Sequence, residues 1–152
     1  MKLYYLFFIL LILISCDKGN QNLKNELYKE IKEKTNTNEP ILTLVNTEFD
    51  WHLLYIIEDW YNEKAISNVI GFKWQGPSVE DQFYRMLFVD TVNYSTEYFD
   101  YYVVSDTQFY FDFKEDTVIN GNRISYIERE KCIFTSKKVK NKYWKYEVKS
   151  LN

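Results

Sequence analysis

The sequence predicts an α+β domain in which one short helix packs on a meandering antiparallel sheet. Three observations predict it. Aromatic residues make up 19% of the chain, with 14 Tyr and 11 Phe, and such residues favour strands and bury large areas each. Apolar residues fall at helical spacing in one segment, residues 62–71, that carries both start and stop signals. From residue 84 onward, short apolar or alternating runs follow one another with turn residues between them, the pattern of successive strands.

The chain begins with Lys2, an unbroken apolar run from Leu3 to Ile14, and then Leu13-Ile14-Ser15-Cys16. The run is shorter than the roughly twenty apolar residues a membrane-spanning helix needs. A charged start, a short apolar core and a small residue before a cysteine resemble a bacterial lipoprotein signal, with Leu13 to Cys16 as its lipobox. An ordinary secretory signal is the competing reading, and Cys16, followed at once by polar Asp17-Lys18-Gly19-Asn20, favours the lipoprotein. The resemblance implies removal of residues 1–15 and lipidation of Cys16 with diacylglycerol and an acyl chain, so that the membrane is a partner through the anchor. It implies an outer-membrane location first, with the inner or plasma membrane as alternatives. No other cofactor is expected.

Residues 16–39 read as a polar tether and residues 40–152 as a single domain. In the tether Leu23, Leu27 and Ile31 recur every four residues, a narrow stripe that predicts a short helix with Asn22 as its cap, broken at residues 35–38. Loss of Lys2 leaves eighteen basic residues against twenty-two acidic, a net charge near −4. Nucleic acid is not expected as a partner, because phosphate binding needs a clustered basic excess. Residues 76–116 are the acidic part, with nine Asp or Glu against Arg85 and Lys114. The C-terminal lysines, from Lys137 to Lys149, read as a solvated strand face. With Cys16 lipidated, Cys132 has no partner in the chain, and its apolar flanks predict a buried structural thiol.

Within the domain, residues 41–49 and 51–57 read as strands, with a break between residues 46 and 50. Asn62 is placed to cap the following helix, Glu63 suits its first turn, and Gly71 supplies its C-cap. Residues 75–78 form a turn. Residues 84–92 are apolar on both faces, as in a central strand, and residues 97–104 follow after a turn at 93–96. Residues 108–114 alternate, with Phe109, Phe111 and Phe113 on one face. Asn120-Gly121 is the sharpest turn signal, joining residues 117–119 to 123–127 as a hairpin. Residues 132–136 and 142–149 complete the meander, leaving one sheet face wet, with Tyr94 and Tyr110 on it.

The run from Phe49 to Tyr61, followed by Glu63, Ile66, Gly71-Phe72 and Trp74, resembles a pattern in small bacterial lipoproteins of unknown function. There an aromatic-Trp-Asp strand leads through a Pro-Tyr turn into a short helix ending in Leu-Gly. The present chain has His52 in place of that Asp and Trp60 in place of that Pro, and the resemblance implies no catalytic assignment. A weaker one is to helix-and-three-strand lipoproteins of outer-membrane assembly, whose two helices precede the strands. Asp90-Thr91-Val92 and Asp116-Thr117-Val118 resemble flavobacterial-type O-glycosylation acceptors.

His52 is the single histidine, so a zinc site built on paired histidines is excluded and a histidine-activated nucleophile would have to use it. The four glycines, Gly19, Gly71, Gly76 and Gly121, form no phosphate loop. Residues 112–116 lack the central glycine and ligand spacing of a calcium loop, and no metal site is expected. Carboxylate pairs that would serve acid–base chemistry are Glu58 with Asp59, and Asp100 with Asp112 if their strands are neighbours. Trp51 and Trp144 read as core. Trp60 and Tyr61 stand at a strand-to-helix turn beside two acids, so Glu58, Asp59, Trp60 and Tyr61 form the candidate binding site for an envelope protein or a small ligand, since Trp and Tyr are frequent hot spots. The expected function is a non-catalytic, membrane-anchored binding module. The alternatives are a carboxylate-dependent hydrolase, or an inhibitor or immunity-type protein using the acidic middle.

Overall fold

A computed structural model describes residues 19–36, 41–43, 47–58, 60–102, 109–113, 116–119, 122–139 and 143–148. The fold is α+β with a core formed mostly by sheet. Its elements are α1 (Gln21–Asn36), β1 (Ile41–Thr43), β2 (Leu53–Ile57), α2 (Glu63–Ile70), β3 (Phe83–Asp90), β4 (Ser95–Tyr102), β5 (Phe109–Asp112), β6 (Asp116–Ile119), β7 (Asn122–Glu128), β8 (Ile133–Val139) and β9 (Tyr143–Val148). They form two sheets where the sequence predicts one meander. The first is antiparallel in the order β4-β3-β2-β7-β6, and the second runs β1-β8-β9-β5 with β5 parallel to β9.

The local signals are realised where they are strongest. Asn62 accepts the Ala65 amide at 2.9 Å, and Gly71 closes α2 at φ 83° with its N–H on the Ser67 carbonyl. Those bonds satisfy groups that the helix ends would otherwise leave orphaned. Ile119 pairs with Asn122 and Val118 with Arg123, so β6 and β7 form the hairpin around residues 120 and 121. Gly121 and Asn120 themselves lie outside the described residues.

The first sheet has no wet face along its centre. Residues 85–90 of β3 are buried at every position, because the two faces meet different layers. Tyr55, Ile57, Leu87, Val89 and Ile124 pack under Ile66, Val69 and Ile70 of α2, together with Trp74 and Val79. On the opposite face Leu54, Ile56, Met86, Phe88, Phe99 and Ile127 meet Leu27 and Ile31 of α1, Phe111 and Phe134 of the second sheet, and Phe113 just past β5. The expectation of an exposed face fails for a physical reason: the second sheet and α1 arrive from distant parts of the chain. Tyr94 is exposed, but on the β3–β4 turn at φ 53°, and the side chain of Tyr110 lies outside the described residues.

The helix expected inside a tether is sixteen residues long and belongs to the core. Leu27 and Ile31, one turn apart, are each 5% exposed, and Leu23 packs beside them. The cap is Asn20 and not Asn22: its side-chain oxygen accepts the Leu23 amide at 3.0 Å. Just before the helix, Gly19 bridges to Phe99 on the outer edge of β4, and the Asn20 N–H donates to the Tyr98 carbonyl at 2.6 Å. Cys132 is buried and free, and burial pushes its thiol well above the ordinary range, which agrees with a structural thiol.

Candidate binding site

β2 delivers the chain to the turn that leads into α2, and three of the four predicted residues can be placed there. Glu58 is exposed, Trp60 is 77% exposed, and Tyr61 is half-buried against the cluster under α2. Asp59 lies outside the described residues. Trp60 adopts φ 73°, a left-handed conformation that a bulky residue rarely takes. Holding it there costs on the order of 1–3 kcal/mol, and residues so held concentrate at functional sites. The turn reverses the chain sharply enough for Asn62 to cap α2 two residues later. It also aims the indole outward while the next ring, Tyr61, packs inward.

Burial, with the nearby Glu58 charge as a smaller cause, raises the Tyr61 hydroxyl above its usual range. That hydroxyl therefore stays protonated at neutral pH. The Tyr61 carbonyl accepts the Val79 amide at 3.0 Å, fastening the turn to the loop after α2.

The loop is in turn fastened from inside the sheet. Arg85, fully buried in β3, grips both carboxylate oxygens of Asp100 on β4 at 2.7 and 2.8 Å. Its third nitrogen, Nη1, donates to the Pro77 carbonyl at 2.6 Å, and Nη2, which also holds Asp100, donates to the Ser78 carbonyl at 3.3 Å. The guanidinium lies 4.3 Å from the Tyr98 ring centre and 5.4 Å from that of Trp74. A continuous path thus runs from the ion pair through residues 77–79 to Tyr61. Arg85 is a functional support that the strand pattern alone does not reveal, although an arginine set in the apolar run of β3 is a signal, because a buried charge needs a partner.

The second carboxylate pair does not assemble. β4 hydrogen-bonds only to β3 within its sheet, whereas β5 belongs to the other sheet, so Asp100 and Asp112 are not on neighbouring strands. Asp100 is spent on Arg85. Its backbone carbonyl also accepts from Lys24 Nζ at 2.9 Å. His52 is a rim histidine, half exposed, with Nδ1 3.3 Å from an Asp90 oxygen and 3.3 Å from the Thr91 amide. Asp90 is otherwise held by the Asn93 side chain and by the Asn93 and Val92 amides, which pull its carboxyl below the ordinary range.

Near it lies a cavity of about 270 Å³ lined by Phe49, Asp50, Phe88, Asp90, Ser95 and Glu97, among others. Its acids already have partners in the fold: Asp90 as above, Glu97 with the Asn20 side chain at 3.0 Å, and Asp50 with Arg129 at 3.5 Å. Among the described residues no group of three or more His, Cys, Asp or Glu is arranged to hold a metal ion. No helix among them is long and apolar enough to cross a membrane.

Trp51 and Trp74 are core, at 1% and 5% exposure. The side chain of Trp144 lies outside the described residues. Among the four tryptophans, Trp60 is therefore the one seen to be presented to solvent. Compared with protein-family models, with curated proteins and with solved structures, the chain gave no match.

Proposed function

We propose that this chain is a lipid-anchored binding module of the bacterial cell envelope that engages its partner through the turn of Glu58, Trp60 and Tyr61. One observation carries the reading: an indole 77% exposed on a left-handed backbone, on a turn whose next residue, Tyr61, is bonded to Val79. An exposed tryptophan on a rigid support offers large contact area at low entropic cost. The complementary surface is a pocket deep enough for an indole, with a basic group facing Glu58. The anchor is the lipid on Cys16, and the outer membrane is the favoured location.

The hydrolase alternative loses its Asp100–Asp112 pair, since their strands lie in different sheets, and keeps only Glu58 with Asp59, of which Asp59 lies outside the described residues. The inhibitor variant loses force as well, since Asp90, Glu97 and Asp100 of the acidic middle serve internal bonds.

The test is cross-linked co-purification of the tagged protein from its native envelope. Wild type is compared with Cys16→Ser and with Trp60→Ala, each checked for native circular dichroism. A stoichiometric partner that disappears with Trp60→Ala supports the reading. Capture unchanged by Trp60→Ala removes the turn as the contact surface.

A further inference from the structure

We infer that the domain lies directly against the membrane, with the β4 edge of its first sheet next to the lipid surface, and is not carried on a stalk. The inference rests on the proposed lipid at Cys16 and adds what the fold does with the chain that follows. A free tether of residues 16–39 would reach about 80 Å if extended. That length is withdrawn. Residues 21–36 are helix, and Leu27 and Ile31 are sealed in the core. Gly19 is bridged to Phe99, while Asn20 is bound to β4 through the Tyr98 carbonyl and the Glu97 side chain.

Only three peptide units then separate Cys16 from Gly19, a reach of about 11 Å at most. This is less than the width of the sheet. The first sheet has five strands, with β4 at one edge and β6 at the other. At about 4.8 Å per strand spacing, β6 stands roughly 19 Å beyond β4. A lipid at Cys16 therefore keeps the β4 edge within reach of the headgroups, and in the inferred orientation β6, with Val118 69% exposed on it, is the edge farther from them.

Gly19 is what permits so close an approach. It has φ 76°, and a Cβ there would collide with the Tyr98 carbonyl and ring. The occupant of this edge is thus the bilayer to which the chain is attached.

The test uses the lipidated full chain in vesicles containing brominated phospholipid. Cys132 is fully buried and Cys16 is taken by lipid, so a single added cysteine can carry a fluorescent probe. Ser95→Cys marks the first residue of β4 and Val118→Cys marks β6. The expected result is at least about threefold stronger quenching at position 95 than at 118. Inserting twenty Gly/Ser residues between Lys18 and Gly19 should bring the two positions to the same weak quenching. Equal quenching in the uninserted chain would overturn the apposition. Membrane fractionation of the wild type distinguishes the two failures: if the chain is not retained, the anchor reading falls and the apposition falls with it, whereas retention with equal quenching removes the apposition alone.

Discussion

Replacing Asp100 by Ala should destabilise the protein by about 3–5 kcal/mol, because it strands a guanidinium that has no access to water. Arg85 is 0% exposed, and the two bonds to Asp100, at 2.7 and 2.8 Å, are the ones that neutralise it. The Pro77 and Ser78 carbonyls and the two aromatic faces remain, but they carry no countercharge. Arg85→Met alone should cost less, since the carboxylate left behind sits at the sheet edge with 9% exposure and the freed carbonyls lie on a partly wet loop. The double variant Arg85→Met/Asp100→Leu removes both charges and should recover most of the loss, leaving a coupling of about 2 kcal/mol or more.

Urea denaturation followed by tryptophan fluorescence reads these differences. With a slope of about 1.5 kcal/mol/M for a domain of this size, Asp100→Ala should lower the midpoint by roughly 2–3 M. A loss below about 1 kcal/mol for Asp100→Ala, or a double variant equal to the sum of the singles, would refute the assignment of this pair as a mutually dependent buried unit.

The ion pair also positions the loop behind the candidate site, so Arg85→Met should speed amide exchange at Val79 relative to the centre of β3. Trp60→Gly should abolish partner capture while leaving stability unchanged or raising it by up to about 1 kcal/mol, since relief of the left-handed strain offsets the added chain entropy; a clear loss of stability would show that the indole packs. Asn62→Ala should cost about 1 kcal/mol in thermal or urea unfolding through loss of the α2 cap. The Asp90 carboxyl is held below its unfolded value, so its contribution to stability is complete above about pH 4 and disappears as pH falls through the lower folded value. Asp90→Asn should therefore flatten the acid limb of a stability–pH profile and leave its slope near neutrality unchanged. The Cys132 thiol should resist a polar maleimide until the protein unfolds; rapid labelling of native protein would contradict its burial.

The sequence by itself determined what is local or periodic. Asn62 and Gly71 delimit α2, the Asn-Gly signal marks the place between the paired strands β6 and β7, and the both-sided apolar run marks β3, because each depends on backbone preference or on a repeat that neighbours in the chain can express. The α+β class follows from those elements taken together. The stripe of Leu23, Leu27 and Ile31 was equally legible as a helix, but its fate was not, since three apolar residues on a polar segment state a preference for burial without naming a surface. Only the tertiary structure supplied that surface, closing α1 and the second sheet over the face expected to be wet and fixing Gly19 to β4.

The site divides in the same way. An aromatic pair beside acids at a strand end is visible in the residue order, whereas the outward indole and inward phenol depend on the left-handed backbone at Trp60. The partnership of Arg85 with Asp100 was also left to the fold, because cross-strand pairing in the sheet, and not proximity in the chain, brings a charge and its counterion to one face.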